Sequence, residues 1–170
     1  MKTLKALYTR ADYLRLPEGF PAQLIRGHLV KEPAPTYGHQ TVASLIHARL
    51  AGLVGAARVL EAPVDVPIDE HNVYQPDVVV FREPPPPDVG GTLVPLVVFE
   101  ILSASTRTRD RRVKRPRYLE AGVAEVWIVD REERTVEVHS RCGVQRARGG
   151  DRATSSAVPG FSLVPDDLFA

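Results

Sequence analysis

The sequence holds a single cysteine, Cys142, in 170 residues, which excludes an intramolecular disulfide and any cysteine-rich zinc site. Aromatic residues make up only 6%, so recognition of single strands by base stacking is not favoured. Neither sign of charge prevails: 22 Lys and Arg stand against 21 Asp and Glu, for a formal net charge of +1. That balance excludes both a uniformly basic nucleic-acid coat and an acidic disordered chain. Long hydrophobic runs are missing too. The longest, Leu93 to Leu102, spans about ten residues and contains Pro95 and Glu100, where a membrane helix needs about 20. Residues 1–20 carry Lys2 and Lys5 but no apolar stretch of signal-peptide length, so the chain reads as soluble and cytoplasmic. Also missing are a helical His pair at four-residue spacing, a Gly-x-Ser-x-Gly elbow and a phosphate-cradling Gly-x-x-x-x-Gly-Lys-Ser loop, the marks of a zinc hydrolase, a serine hydrolase and a P-loop enzyme.

What is present is an ordinary globular composition, 44% hydrophobic and 25% charged. Proline is the outlier at 15 residues, against about 5% in an average chain. The length predicts a single domain over residues 1–170, which buries roughly 70% of its unfolded surface without staples.

A short N-terminal helix, capped by Thr9 or Asp12, is predicted to end at Pro17-Glu18-Gly19. Gln23–Ile25 and Leu29–Lys31 read as a hairpin turning at Arg26-Gly27-His28. From His39 to Val54, residues Val42, Leu45, Ile46, Leu50, Leu53 and Val54 recur at helical spacing, with His39 on the same face, His47 at its edge and Gly55 as the stop. Val59, Glu61, Val64, Val66 and Ile68 alternate as a strand, and Pro63 and Pro67 confine it to a sheet edge. Asp77 heads a short strand through Phe81, and Pro84–Pro87 with Gly90-Gly91 forms a stiff loop inserted within the domain. Leu96–Leu102 is a second buried strand, with Leu96, Val98, Glu100 and Leu102 on one face. A helix follows Ser103–Thr106, is kinked or restarted at Pro116 and ends at Gly122. Glu125–Val129 and Thr135–His139 form a second hairpin, and Gly143–Ala170 reads as strand-poor with a helical turn near Asp166. Strands alternating with helices predict an α/β fold, with a central mixed sheet flanked by helices. Trp127 and Tyr118 fit helix-on-strand packing.

Glu100 is the most informative residue. Its four preceding and two following neighbours are apolar, and an ionised carboxylate buried there is heavily penalised. A metal, a Lys or Arg, or protonation must compensate it. Asp77 occupies a similar place on the preceding strand. Two such carboxylates can converge on a hard cation such as Mg²⁺, completed by water and substrate phosphate; the bland alternative is a local cap or salt bridge. Arg107 to Arg117 then holds seven basic residues in eleven, a cluster suited to a polyanion, or simply a solvated helix face. Within it, Lys114 is the one to single out: placed near the carboxylates, it could orient or activate a water or stabilise developing phosphate charge. His39 is either a group behind the metal or a satisfied core histidine. His28, His47, His71 and His139 have no paired metal spacing, and Cys142 reads as a passive thiol.

Pro76-Asp77, Glu100-Ile101-Leu102-Ser103-Ala104-Ser105-Thr106, Asp110, Lys114, Tyr118, Ala121-Gly122-Val123, Glu125, Trp127 and Val129-Asp130 together resemble the Uma2 endonuclease family, once a bacterial domain of unknown function, in the PD-(D/E)XK restriction-endonuclease-like superfamily. The resemblance extends upstream through Leu24-Ile25-Arg26-Gly27, His39-Gln40 and Ala62–Val66. It implies a restriction-endonuclease-like core with Asp77 and Glu100 as ligands of Mg²⁺ or Mn²⁺, and Lys114 as the family's helix-borne lysine. Leu102 stands where the superfamily usually has lysine, Arg26 and His28 flank a turn that is often acidic in the family, and Ala104 replaces a common proline. The implied activity is hydrolysis of nucleic acid, DNA first, by a metal-activated water, in a homodimer that offers one site per strand. The competing reading is a catalytically silent nuclease fold acting as a DNA-binding or protein-interaction module.

Overall fold

The computed structural model describes residues 7–88 and 90–169; Lys2 and Lys5 lie outside them. Thr9 caps helix α1 (Arg10–Tyr13) in a reciprocal box with Asp12, fixing a much shorter helix than the proline-glycine stop predicts. Strands β1 (Ala22–Ile25) and β2 (His28–Lys31) turn at Arg26 and Gly27 alone, both at positive φ. That is the twist a two-residue hairpin demands, and it draws His28 into β2.

Helix α2 (Tyr37–Val54) is capped by the Thr36 hydroxyl and stops at Gly55, which takes φ +89°. Its buried stripe is Val42, Ala43, Ile46 and Leu50. Leu45 and Leu53, expected on that face, are 39% and 51% exposed. The spacing of three and four admits two overlapping stripes, and the larger residues do not all lie on the packed one.

A six-stranded sheet forms the centre, in the order β10-β9-β8-β7-β6-β3. Its strands are β3 (Val59–Glu61), β6 (Val78–Val80), β7 (Val97–Leu102), β8 (Glu125–Asp130), β9 (Thr135–Ser140) and β10 (Gly143–Arg148). Only β7 and β8 pair in parallel; the others pair antiparallel, so the sheet is mixed as expected. A second sheet, β2-β1-β5-β4, adds β4 (Val66–Asp69) and β5 (Asn72–Tyr74). The proline-broken stretch after Val59 is therefore two strands in two sheets, each at an edge. Strand β10 contradicts the strand-poor reading of the C-terminal segment: exposed Val144, Gln145 and Arg146 hide its period-two pattern. A two-stranded ribbon, β11 (Ala153–Thr154) with β12 (Ser162–Leu163), and helix α5 (Pro165–Leu168) complete the described chain.

Alternation along β7 divides the core. Val97, Phe99 and Ile101 pack with α2 and the C-terminal segment, whereas Val98 and Leu102 pack with Val79, Ile128 and Tyr74 of the second sheet. Leu96 precedes the strand and joins the first cluster, not the Glu100 face. Trp127 also lies on the α2 side, its ring 5.3 Å from both Phe99 and Phe161, so it packs across the sheet from Tyr118. Among the described residues no helix is long and apolar enough to cross a membrane.

Glu125, buried at the start of β8, ties the C-terminal segment to this sheet. It accepts the Trp127 indole N–H (3.0 Å), the Ser155 hydroxyl (2.6 Å) and the N–H groups of Ser156 and Ala157. Replacing it by Ala strands four donors, and we expect a loss of about 3 kcal/mol. Urea denaturation followed by the fluorescence of the single tryptophan checks this; an unchanged midpoint contradicts it.

Candidate functional site

The antiparallel register sets Val78 against Phe99, so Asp77, one residue earlier, faces Glu100 across the strands. Period two then places both side chains on the same face as Val79 and Val98. The Asp77 carboxylate accepts the Ile101 N–H at Oδ2 (2.6 Å), and its Oδ1 lies 3.2 Å from Nε2 of His39, half-buried one turn before Ala43 on α2. The Asp77 carboxylate raises the His39 pKa against the opposing effect of burial.

The helical stretch after β7 returns across this face. It begins as α3 (Arg107–Arg109), widens to a π-helical turn over Asp110–Lys114 and continues as α4 (Arg115–Glu120). Pro116, in the first turn of α4, has no N–H to offer the carbonyl four residues back, and the widened turn lies across that gap. Such turns recur at functional sites. Asp110, Lys114 and Tyr118, spaced by four, all face inward and are buried.

Lys114 Nζ donates to Glu100 Oε1 at 3.0 Å and lies 3.3 Å from Asp110 Oδ1. The Tyr118 hydroxyl donates to the same Glu100 oxygen at 2.7 Å. Burial pushes the Glu100 carboxyl well above the ordinary carboxylate range, while the Lys114 ammonium pulls it back. Burial also works against the charge on Lys114, but the two carboxylates prevail and hold its proton firmly. The structure thus brings Asp77, Glu100 and Lys114 together. Lys114 is the cationic compensation for Glu100 that the sequence left open. Tyr118 and Asp110 entered the sequence reading as part of the family pattern, and Tyr118 as a packing residue, but neither was assigned to the site, although their four-residue spacing from Lys114 was there to read.

The group fits a hard divalent cation. With all four ionised, Asp77, Glu100, Asp110 and Lys114 sum to a negative cluster, and Glu100 Oε2 takes no hydrogen bond from the described residues. No three His, Cys, Asp or Glu side chains among the described residues form a ready metal cage. Two carboxylates that leave positions for water and phosphate are nonetheless how proteins usually hold Mg²⁺.

These residues line a cleft of about 1450 Å³, together with residues of the segment from Tyr13 to Pro21, Pro85–Pro87 and Gly91–Leu93. The basic run, expected to meet a polyanion, is mostly spent inside the protein. Arg107 pairs with Asp130 and Glu132, Arg109 with Glu32, Arg111 with Asp130 and Glu137, and Arg117 with Asp69 and Glu120. Asp130 is wholly buried at the end of β8, so these arginines fasten the helical stretch to the sheet.

Over residues 10–166 the chain matches the family described as "Uma2: Putative restriction endonuclease". Among solved structures it is similar to a chain described as "a putative nuclease belonging to DUF820" from Anabaena variabilis, with a TM-score of 0.80, 23% identity, and coverage of 95% of this chain and 97% of that one. A comparison with curated proteins yields no match. The structural likeness establishes the restriction-endonuclease-like fold.

Two outcomes are expected. Lys114→Met leaves Glu100 and Asp110 buried without a cation and costs about 3–5 kcal/mol. Adding Glu100→Gln removes one of the orphaned charges, so the double variant is more stable than Lys114→Met alone; urea titration reads the difference, and a double variant no more stable refutes the pairing. Glu137 supplies the second test. Its bond from His139, helped by Arg111 against the opposing effect of burial, holds its carboxyl at about 2 rather than 4.5. A depressed carboxylate stabilises the fold above its unfolded pKa and loses that contribution as pH falls towards the folded value. The stability gap between wild type and Glu137→Gln is therefore wide at pH 7 and narrows between about pH 4.5 and 2; a gap constant over that window refutes the assignment.

Proposed function

The chain belongs to the Uma2 family, and on that premise we propose that it hydrolyses phosphodiester bonds of nucleic acid, DNA first, with Asp77, Glu100 and Lys114 as its catalytic residues. One observation carries the reading: a helix-borne lysine, Lys114, reaches the buried Glu100 at 3.0 Å on the sheet face it shares with Asp77. In the strand position usual for that lysine stands Leu102, packed into the core.

Asp77 and Glu100 are the residues that would hold Mg²⁺ or Mn²⁺, and such an ion, when bound, polarises the scissile phosphate and lowers the pKa of the attacking water. The chain's own groups do the rest. The Ile101 N–H and His39 fix the plane of the Asp77 carboxylate. Tyr118 and Lys114 both engage Oε1 of Glu100, which leaves Oε2 without a donor among the described residues. Because Lys114 keeps its proton, it serves as a fixed positive charge for the negative charge that builds on phosphate oxygens as the new P–O bond forms. We take residues 1–170 as one domain acting in the cytoplasm, and a homodimer as the state that sets one site against each strand of a duplex.

Titration calorimetry with Mn²⁺ and Mg²⁺ tests this before any cleavage assay, because it needs no knowledge of the target. Wild type is expected to bind, and Asp77→Ala and Glu100→Ala to lose the heat of binding. Lys114→Gln keeps metal binding while abolishing hydrolysis of a nucleic acid that wild type cleaves. No binding by wild type, or binding indifferent to both carboxylate changes, leaves the silent nuclease fold as the reading that stands.

A further inference from the structure

Seven carboxylates and three Lys or Arg side chains line the cleft, so a phosphodiester entering it meets a predominantly negative wall. Two of the three cations are already engaged. Arg109 pairs with Glu32 at 2.6 Å, and Lys114 is held between Glu100 and Asp110. The third, Arg131, is exposed and makes no ion pair among the described residues.

Its position follows from the sheet. Leu102 pairs with Asp130 at the carboxyl ends of the parallel strands β7 and β8, the edge where the catalytic carboxylates lie, and Arg131 is the next residue. Its guanidinium rests over Gly38 in the first turn of α2, where a β-carbon would run into it. Gly38 has no left-handed backbone to explain it, and alanine is the better helix former at such a position. What glycine gives here is room for the guanidinium. The residue after it is His39, whose Nε2 reaches Asp77 Oδ1, so the seat of Arg131 adjoins the metal-binding carboxylate without touching it.

We propose that Arg131, seated on Gly38, is the phosphate-binding residue of the cleft, gripping a phosphodiester that flanks the one under attack. This rests on the nuclease reading and names the group that brings the polyanion to it. A guanidinium suits the task because its planar fork offers two parallel donors to one phosphate. The basic run cannot take this part: only Arg109 and Lys114 of it line the cleft, and both are committed to carboxylates, Arg109 to Glu32 and Lys114 to Glu100 and Asp110. Arg112, exposed and outside the cleft, is the natural comparison.

The test is fluorescence anisotropy of a labelled oligodeoxynucleotide, single-stranded or duplex as wild type prefers, in Ca²⁺ and across a range of salt. Arg131→Ala is expected to weaken binding about tenfold and to lower the magnitude of the salt slope by about one phosphate contact. Arg131→Lys retains the slope and recovers part of the affinity. Gly38→Ala displaces a flexible side-chain end, so it leaves the thermal midpoint in place and reproduces the weakening. Arg112→Ala binds as wild type does. Wild-type affinity in Arg131→Ala, or an equal loss in Arg112→Ala, overturns the proposal while leaving the nuclease reading intact. If wild type binds neither form of the oligonucleotide, the nuclease reading falls first and this proposal with it.

Discussion

The buried pair of Glu100 and Lys114 is the interaction on which the arrangement of this protein depends. Stripping water from a carboxylate in the middle of an otherwise apolar strand costs several kcal/mol. Nothing on β7 itself can offset that, because its other residues are all aliphatic or aromatic. The compensating charge must come from another element, which sets two requirements. The chain after β7 has to come back across the sheet face, and it has to present a long cation inward at the right height. The π-helical turn brings Lys114 and Asp110 inward together, and the arginines around it pin the stretch to Asp130 and Glu137. Glu100 and Lys114, the residue that offsets its charge, also line the cleft, so stability and the proposed chemistry draw on the same contacts.

That dependence explains why part of the design is readable in sequence and part is not. Glu100 announces itself, because a lone acid among apolar neighbours must have a partner. Lys114 could be placed beside it only through family resemblance, since fourteen positions separate the two and no periodicity links a strand to the helix that recrosses it. The central strands and α2 followed from β-branched runs and helical spacing. Strand β10 did not, because it lies at the edge of the sheet and exposes most of its side chains. The faces of α2 were legible only in outline: Leu45 and Leu53 share the spacing of the core residues, but the sheet packs against the stripe that includes Ala43.

The basic run shows how composition misleads about charge. Seven cations in eleven residues predict a surface for polyanions, yet each charge matters only in relation to what lies opposite it. Asp130 and Glu137 sit on neighbouring strands beneath the helical stretch, and Asp130 in particular is fully buried. Burial makes those carboxylates obligate partners, and Arg107 and Arg111 are the groups within reach. A solvated run would be held loosely and screened by salt; this one is partly desolvated and directional. The sequence records the cations in one contiguous block and their partners scattered from Glu32 and Asp69 to β8, β9 and the turn between them, so the pairing is visible only once the strands are in register.

The placement of lysine on a helix has a further consequence. On the strand, two residues beyond Glu100, its side chain would be aligned by the sheet's own pleat, and its position would survive small movements of the layers. On the helix, the distance from Lys114 to Glu100 is set by packing of α4 against the sheet, chiefly through Tyr118, whose ring lies edge-on to Tyr74 at 5.4 Å. Tyr74 belongs to the second sheet and Tyr118 also bonds Glu100, so the two sheets, the helix and the carboxylate are coupled through one buried contact. A substitution there disturbs the cation's position even when no charged residue is altered. Leu102, two residues beyond Glu100 on the strand, adds apolar area to that same cluster, and the packing it contributes helps hold the helix that carries the lysine.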